Sequence, residues 1–116
     1  MPSFDAAALL SEYGDDEFVR ELASLLIDVV PPQVDAIQQA ISGSDPEALR
    51  VACHRLRGSI AAFGVPEIVN MIRSLEGLGA ARDLADAPAL TASLADDIHA
   101  LCDDARTWLR RSRGAS

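Results

Sequence analysis

Apolar residues recur at the spacing of an α-helix along most of this chain, and no segment alternates apolar and polar residues as a half-buried strand does. This pattern restricts the fold to helices packed on helices. Aromatic residues make up only 4% of the sequence, although 49% of it is apolar, which favours closely packed helices over a β-sandwich. A chain of 116 residues has the length of one domain, and we expect residues 1–116 to form a single one.

Helix start and stop signals divide the chain into one short helix and four longer ones. The predicted segments are Asp5 to about Tyr13, Asp15 or Asp16 to Ser42, Pro46 to Phe63, Pro66 to Gly77 or Gly79, and a last helix that opens at Pro88. Ser44 and Glu47 have the spacing of a capping box at the start of the third long segment. Short connections imply antiparallel neighbours. The prediction is an all-α, up-down antiparallel four-helix bundle with a short additional N-terminal helix.

The first long helix contains an adjacent pair of prolines, Pro31 and Pro32. Proline lacks the backbone N–H and its ring clashes with the preceding turn, so we expect the pair to kink or break the helix. Before the prolines, an apolar stripe follows helical spacing; it comprises Phe18, Leu22, Leu25, Leu26, Val29 and Val30.

Charge and composition exclude several classes of function. The formal net charge is −8 and every basic residue is an arginine, so binding of nucleic acid or of an anionic membrane is not expected. No apolar run reaches the ~18 residues of a membrane span, and the N-terminus lacks a basic leader, which predicts a cytoplasmic protein without membrane insertion. Cys53 and Cys102 have no metal-ligand spacing, and we expect two buried, reduced thiols rather than a disulfide or a metal site.

The helix from Pro46 to Phe63 carries the residues with distinctive chemistry. Its core face consists of Leu49, Ala52, Cys53, Leu56, Ile60 and Phe63. His54 projects nearly opposite that face at ~100° per residue. Arg50 precedes it by one turn on the same side, while Arg57 and Gly58 follow at i+3 and i+4.

An exposed histidine between arginines can act as a nucleophile toward an activated phosphoryl group, because much of its imidazole is unprotonated near neutral pH. The guanidinium of Arg57 can neutralise phosphoryl oxygens with paired donors. Gly58 costs helix stability and has no Cβ, so it would let another protein approach the imidazole. Two alternatives remain open: His54 is an ordinary surface residue, and Gly58 permits close helix packing.

These residues also carry a resemblance. The run His54-Arg55-Leu56-Arg57-Gly58-Ser59, followed by Ala61-Ala62-Phe63-Gly64, resembles the signature of histidine-containing phosphotransfer (HPt) domains, and Leu75-Glu76-Gly77-Leu78-Gly79 is similar to a second family motif. The sequence departs from the family where Arg57 replaces the usual lysine. It departs again at Ala80, where some members have an arginine.

The resemblance implies a phosphorelay intermediate in which His54 accepts a phosphoryl group from a receiver-domain aspartate and passes it to another receiver. It implies that Arg57 stabilises the phosphoryl group and Gly58 gives access. We expect Arg50, one turn before His54, and Ser59 to be auxiliary residues. The implied docking surface for the receiver comprises Leu9, Leu10, Val19 and Val51. The domain would be a monomer without an ATP site or bound metal, and Mg²⁺ would come from the receiver.

Two questions stay open at this point. The chain could be a free-standing protein or the C-terminal module of a hybrid sensor histidine kinase. It could also be a helical interaction module that binds a signalling partner without relaying phosphate, although the presence of His54 with Arg57 and Gly58 favours transfer. A bundle enzyme or metal protein is disfavoured, because no Glu-x-x-His pair occurs.

Overall fold

The computed structural model describes residues 4–114, which form five α-helices and one short 3₁₀ turn. The elements are α1 (Ala6–Tyr13), α2 (Asp16–Ser42), α3 (Pro46–Ile60), the 3₁₀ turn (Ala61–Phe63), α4 (Pro66–Ala80) and α5 (Ala87–Gly114). The predicted helix from Pro46 to Phe63 therefore tightens in its last turn, and the fifth helix begins one residue before Pro88.

Aspartates cap three of the helix starts. Asp5, Asp15 and Asp45 each accept backbone N–H groups of the first turn, at 3.0 Å from the nearest nitrogen in every case. The predicted capping box of Ser44 and Glu47 is wrong, because Asp45 takes the cap position and Glu47 pairs with an arginine one turn further on. Gly14 and Gly64 end their helices in the left-handed conformation.

The four long helices form a ring in which each packs on two neighbours. Helix α3 lies between α2 and α4, and α5 closes the ring against the same two helices, while α1 packs on α2. The molecule measures 50 × 21 × 21 Å. The predicted four-helix bundle with a short N-terminal helix is confirmed. None of the helices described between residues 4 and 114 is long and apolar enough to cross a membrane.

Of the two outcomes predicted for Pro31 and Pro32, a kink or a break, the break is wrong, because α2 runs through both prolines. The buried residues Val30 and Val34 hold the two halves of α2 against the core on either side of the pair. Both proline rings lie on the outer side, half-buried or exposed. The carbonyl oxygen of the exposed residue Asp28, which Pro32 leaves without its helical donor, can be hydrated there.

Both thiols are free and buried, as predicted. Burial raises the pKa of Cys53 from 9.0 to about 12, and it also raises the pKa of Cys102. Cys53 therefore belongs to the core that holds α3 in place, although it is adjacent to His54 in sequence.

Candidate functional site

Helix α3 presents His54 to solvent because its opposite face is anchored in the core. Leu49, Cys53, Leu56 and Ile60 are fully buried and fix the rotation of the helix. With that face inward, 69% of the His54 side chain is exposed. The predicted exposure of His54 is thus confirmed, and its imidazole is accessible to another macromolecule.

Two charged side chains meet the imidazole on one side. Arg57 Nη2 lies 3.2 Å from His54 Nδ1, and the carboxylate of Glu76 lies 3.8 Å from the same nitrogen. Glu76 Oε2 is 3.5 Å from Arg57 Nη2, so the three side chains form one cluster. Helix α3 contributes His54 and Arg57, and α4 contributes Glu76.

The two ring nitrogens of His54 have different surroundings, because Arg57 and Glu76 both lie at Nδ1. When Nδ1 carries no proton it accepts from Arg57, and when Nδ1 is protonated its N–H faces the Glu76 carboxylate. The second tautomer leaves the lone pair of Nε2 free for nucleophilic attack. The Glu76 carboxylate favours this tautomer, whereas the nearer guanidinium of Arg57 favours the tautomer that carries the proton on Nε2.

Our reading of the sequence assigned no role to Glu76. The residue stands within the motif Leu75 to Gly79, but its approach to His54 depends on how α4 packs on α3. The available signal was the position of Glu76 directly after the buried residue Leu75, which turns the carboxylate toward the edge of the α3–α4 interface.

A glycine in α4 allows that approach. A methyl group placed at Gly79 would lie 2.8 Å from the Pro46 carbonyl oxygen and 3.2 Å from the Arg50 backbone nitrogen, so no side chain fits there. Gly58 differs, because a methyl group at that position would meet nothing within 4 Å. The packing explanation for Gly58 is therefore wrong, and the glycine lies beside the imidazole on an open surface.

Arg50 does not contact His54 in this structure. Its guanidinium is bound by Glu47, with Nε 3.1 Å from Oε2 and a second contact from Nη2 to Oε1. The hydrogen bond to Glu47 raises the pKa of Arg50, and the same hydrogen bond lowers the pKa of Glu47. Arg50, the auxiliary cation that the sequence predicts beside His54, is therefore paired with the carboxylate of Glu47 instead.

The predicted docking residues fall into two groups. Leu9 and Val19 are buried in the core, so the prediction that they line a docking surface is wrong. Leu9 is the buried residue that holds the short helix α1 on the bundle. Val19 lies on the buried face of α2, which it shares with Ala23 and Leu26. Leu10 is half-buried and Val51 is exposed, so both remain accessible.

Several large apolar side chains are exposed on α2 and α3. They include Leu25, which is 55% exposed, and the exposed residues Val29 and Val51. Leu25 and Val29 lie in the wall of a groove of about 240 Å³ between α2 and α3; it is lined by Leu22, Leu25, Leu26, Val29, Val30, Ser59, Ala62 and Phe63. Ser59 thus lies in the wall of this groove and not in the charged cluster.

Part of the apolar stripe of α2 is therefore not core. Phe18, Leu25 and Val29 are exposed, whereas Leu26 and Val30 are buried. We call Leu25, Val29, Val51 and the adjoining groove the α2–α3 surface. The ionic cluster of His54, Arg57 and Glu76 joins α3 to α4 instead.

Comparisons with known proteins agree with this geometry. A family model for the Hpt domain matches residues 21–108. The signal transduction histidine-protein kinase BarA of Shigella flexneri and that of Escherichia coli strain K12 are each 29% identical over 69 residues, which is 60% of this chain. The match spans only 8% of the length of these kinases.

A solved structure shares the fold. The crystal structure of histidine-containing phosphotransfer protein B (HptB) from Pseudomonas aeruginosa PAO1 superimposes with a TM-score of 0.76 at 19% sequence identity. The match covers 99% of this chain and 97% of that one. The likeness therefore includes the short helix α1 as well as the four-helix bundle.

Proposed function

Because the chain belongs to the Hpt domain family, whose members are phosphotransfer modules of phosphorelays and work with receiver domains, we propose that His54 is the residue that carries the phosphoryl group. The observation that supports this most strongly is the exposed imidazole of His54 with Arg57 and Glu76 at Nδ1 and the open position of Gly58 beside it. His54 accepts the group from a receiver phospho-aspartate and returns it to another receiver.

The transfer step follows from the two ring nitrogens. The lone pair of Nε2 attacks phosphorus, the bond between phosphorus and the aspartate oxygen breaks, and its electron pair returns to the aspartate carboxylate. The proton on Nδ1 remains there during attack, and Glu76 offsets the positive charge that develops on the ring. A protonated Nδ1 cannot accept a hydrogen bond from Arg57, which lies 3.2 Å away. The Arg57 guanidinium is then free to donate to the phosphoryl oxygens and neutralise their charge.

An acyl phosphate is already activated, so the domain requires no ATP of its own and acts without kinase activity. The Mg²⁺ that stabilises the transferring group comes from the receiver. The charged cluster of His54, Arg57 and Glu76 is complete within one chain, which supports action as a monomer.

The α2–α3 surface is the docking site for the receiver. Its exposed side chains Leu25, Val29 and Val51 supply apolar area on α2 and α3, and Gly58 allows the receiver aspartate to approach the imidazole. Leu10 is accessible but stays outside this surface in our proposal.

A transfer assay tests the proposal. Receiver domains charged with labelled phosphate are mixed with wild type, with His54→Gln and with His99→Gln. The last variant removes the other histidine of the chain, which is also exposed on a helix and serves as the matched control. We expect acid-labile, base-stable label on wild type and His99→Gln, and none on His54→Gln. Label on His54→Gln at the wild-type rate would contradict the proposal.

A further inference from the structure

We propose that Arg50 is a second phosphoryl ligand that Glu47 holds away from His54, and that phosphorylation of His54 transfers the Arg50 guanidinium from Glu47 to the phosphoryl group. The inference rests on the proposed function of His54. Glu47 then competes with the phosphoryl group for the Arg50 guanidinium and so limits the stability of the phosphohistidine.

Helix geometry places Arg50 on the same side of α3 as His54, one turn earlier. Residues four apart on a helix have Cβ atoms roughly 5–6 Å apart. Helical side chains lean toward the N-terminus, so the imidazole of His54 extends over the turn that contains Arg50. Arg57 and Glu76 both lie at Nδ1, which leaves Nε2 and any group bound to it without either of these partners.

The base of the Arg50 side chain is fixed, but its guanidinium is not. The backbone of α4 at Gly79 lies directly against the backbone nitrogen and Cβ of Arg50. Beyond this contact the Arg50 side chain is 43% exposed. Rotation about its outer torsions can therefore move the guanidinium away from Glu47 without moving the helix.

The existing ion pair is weak enough to exchange. Glu47 is 65% exposed, and an ion pair between solvent-exposed groups contributes little to stability because water screens it. A phosphoryl group carries up to about two negative charges and three acceptor oxygens, so it competes well with one carboxylate.

Glu47 keeps one positively charged neighbour when the Arg50 guanidinium moves away. Arg82, in the turn after α4, acts on the Glu47 carboxylate by charge and also contributes to lowering the pKa of Glu47. Glu76 likewise acts on Arg50 by charge. When the Arg50 guanidinium moves, Glu47 therefore still has Arg82 nearby, and Glu76 still has Arg57.

The test measures the lifetime of the phosphohistidine. Wild type, Arg50→Gln, Glu47→Gln and the double variant are phosphorylated with phosphoramidate, a small donor that needs no receiver, and the loss of the phosphohistidine signal is followed by ³¹P NMR at neutral pH. We expect Arg50→Gln to shorten the lifetime by roughly three- to tenfold. Glu47→Gln should lengthen it, and the double variant should match Arg50→Gln, because Glu47 acts through Arg50.

Asp103→Asn is the matched control. Asp103 and Arg106 form an exposed pair with the same i, i+3 spacing on α5, so this variant removes an equivalent ion pair away from His54. Its phosphohistidine lifetime should equal that of wild type. A lifetime unchanged in Arg50→Gln, or a Glu47→Gln effect that persists in the double variant, would overturn the inference. Failure of folded wild type to accept phosphate from both phosphoramidate and receivers would overturn the proposed function instead.

Discussion

At the scale of single residues, the site combines His54 and its neighbours within one turn of α3 with Glu76 of α4. The face of a helix can be calculated from sequence, so the exposure of His54 and the position of Arg57 beside it were predictable. Glu76 was not, because it comes from another helix and its distance from His54 depends on the packing of α4 against α3. The partner of Arg50 was also missed, since Glu47 was assigned to a cap that Asp45 occupies.

Substitution of Gly58 separates helix stability from access. Gly58→Leu should raise the free energy of unfolding by about 0.5–1 kcal/mol, because glycine is a poor helix former and an added Cβ would meet nothing within 4 Å. The same variant should slow transfer from a receiver at least tenfold, while phosphorylation by phosphoramidate stays at the wild-type rate. Urea unfolding and the two phosphorylation rates check this. Transfer from the receiver at an unchanged rate would contradict the access role of Gly58.

At the scale of helices, most starts and ends could be predicted because they depend on local signals such as Pro46, Pro66 and the aspartate caps. The continuity of α2 through Pro31 and Pro32 could not. The local cost of two prolines is outweighed by the tertiary packing of Val30 and Val34, which sequence spacing alone does not quantify. The close contact of α3 and α4 likewise depends on one residue without a side chain, Gly79.

The two glycines near the end of α4 should respond in opposite directions to the same change. Gly79→Ala should destabilise the protein by about 1–3 kcal/mol, because the methyl group would collide with the Pro46 carbonyl oxygen. Gly77→Ala, which meets nothing within 4 Å, should be neutral or stabilising by up to about 1 kcal/mol. Thermal unfolding of both variants checks the contrast. Equal effects would show that α4 does not approach α3 as described.

At the scale of the whole molecule, the up-down bundle was predictable because helix number, connection length and apolar period all agree. The location of the docking surface was not. Only part of the apolar stripe of α2 is buried in the core. Sequence spacing cannot tell which residues of the stripe are exposed and can face another protein. Burial of Leu9 and Val19 and exposure of Leu25 and Val29 follow from the rotation of α2 within the ring of four helices.

The buried thiol of Cys53 predicts a loss of stability in alkaline solution. Its folded pKa of about 12 exceeds the ordinary value of 9.0, so the folded state holds the proton more tightly. The contribution is fully present below about pH 9 and is lost as pH rises toward 12, by up to about 1.4 kcal/mol per pH unit. Urea unfolding at pH 8 to 11 should show a steeper decline for wild type than for Cys53→Ala. Parallel curves would contradict the burial of this thiol as a protonated group.

The most direct test of the central claim is to identify the atom that carries phosphate after transfer from a charged receiver. Wild type labelled with ¹⁵N at its histidines is phosphorylated, and ³¹P and ¹⁵N NMR spectra locate the new phosphorus–nitrogen bond. The account predicts one phosphohistidine, at Nε2 of His54, with a proton on Nδ1 facing Glu76. Phosphate on Nδ1, on His99 or on any residue of the His54→Gln variant would contradict it.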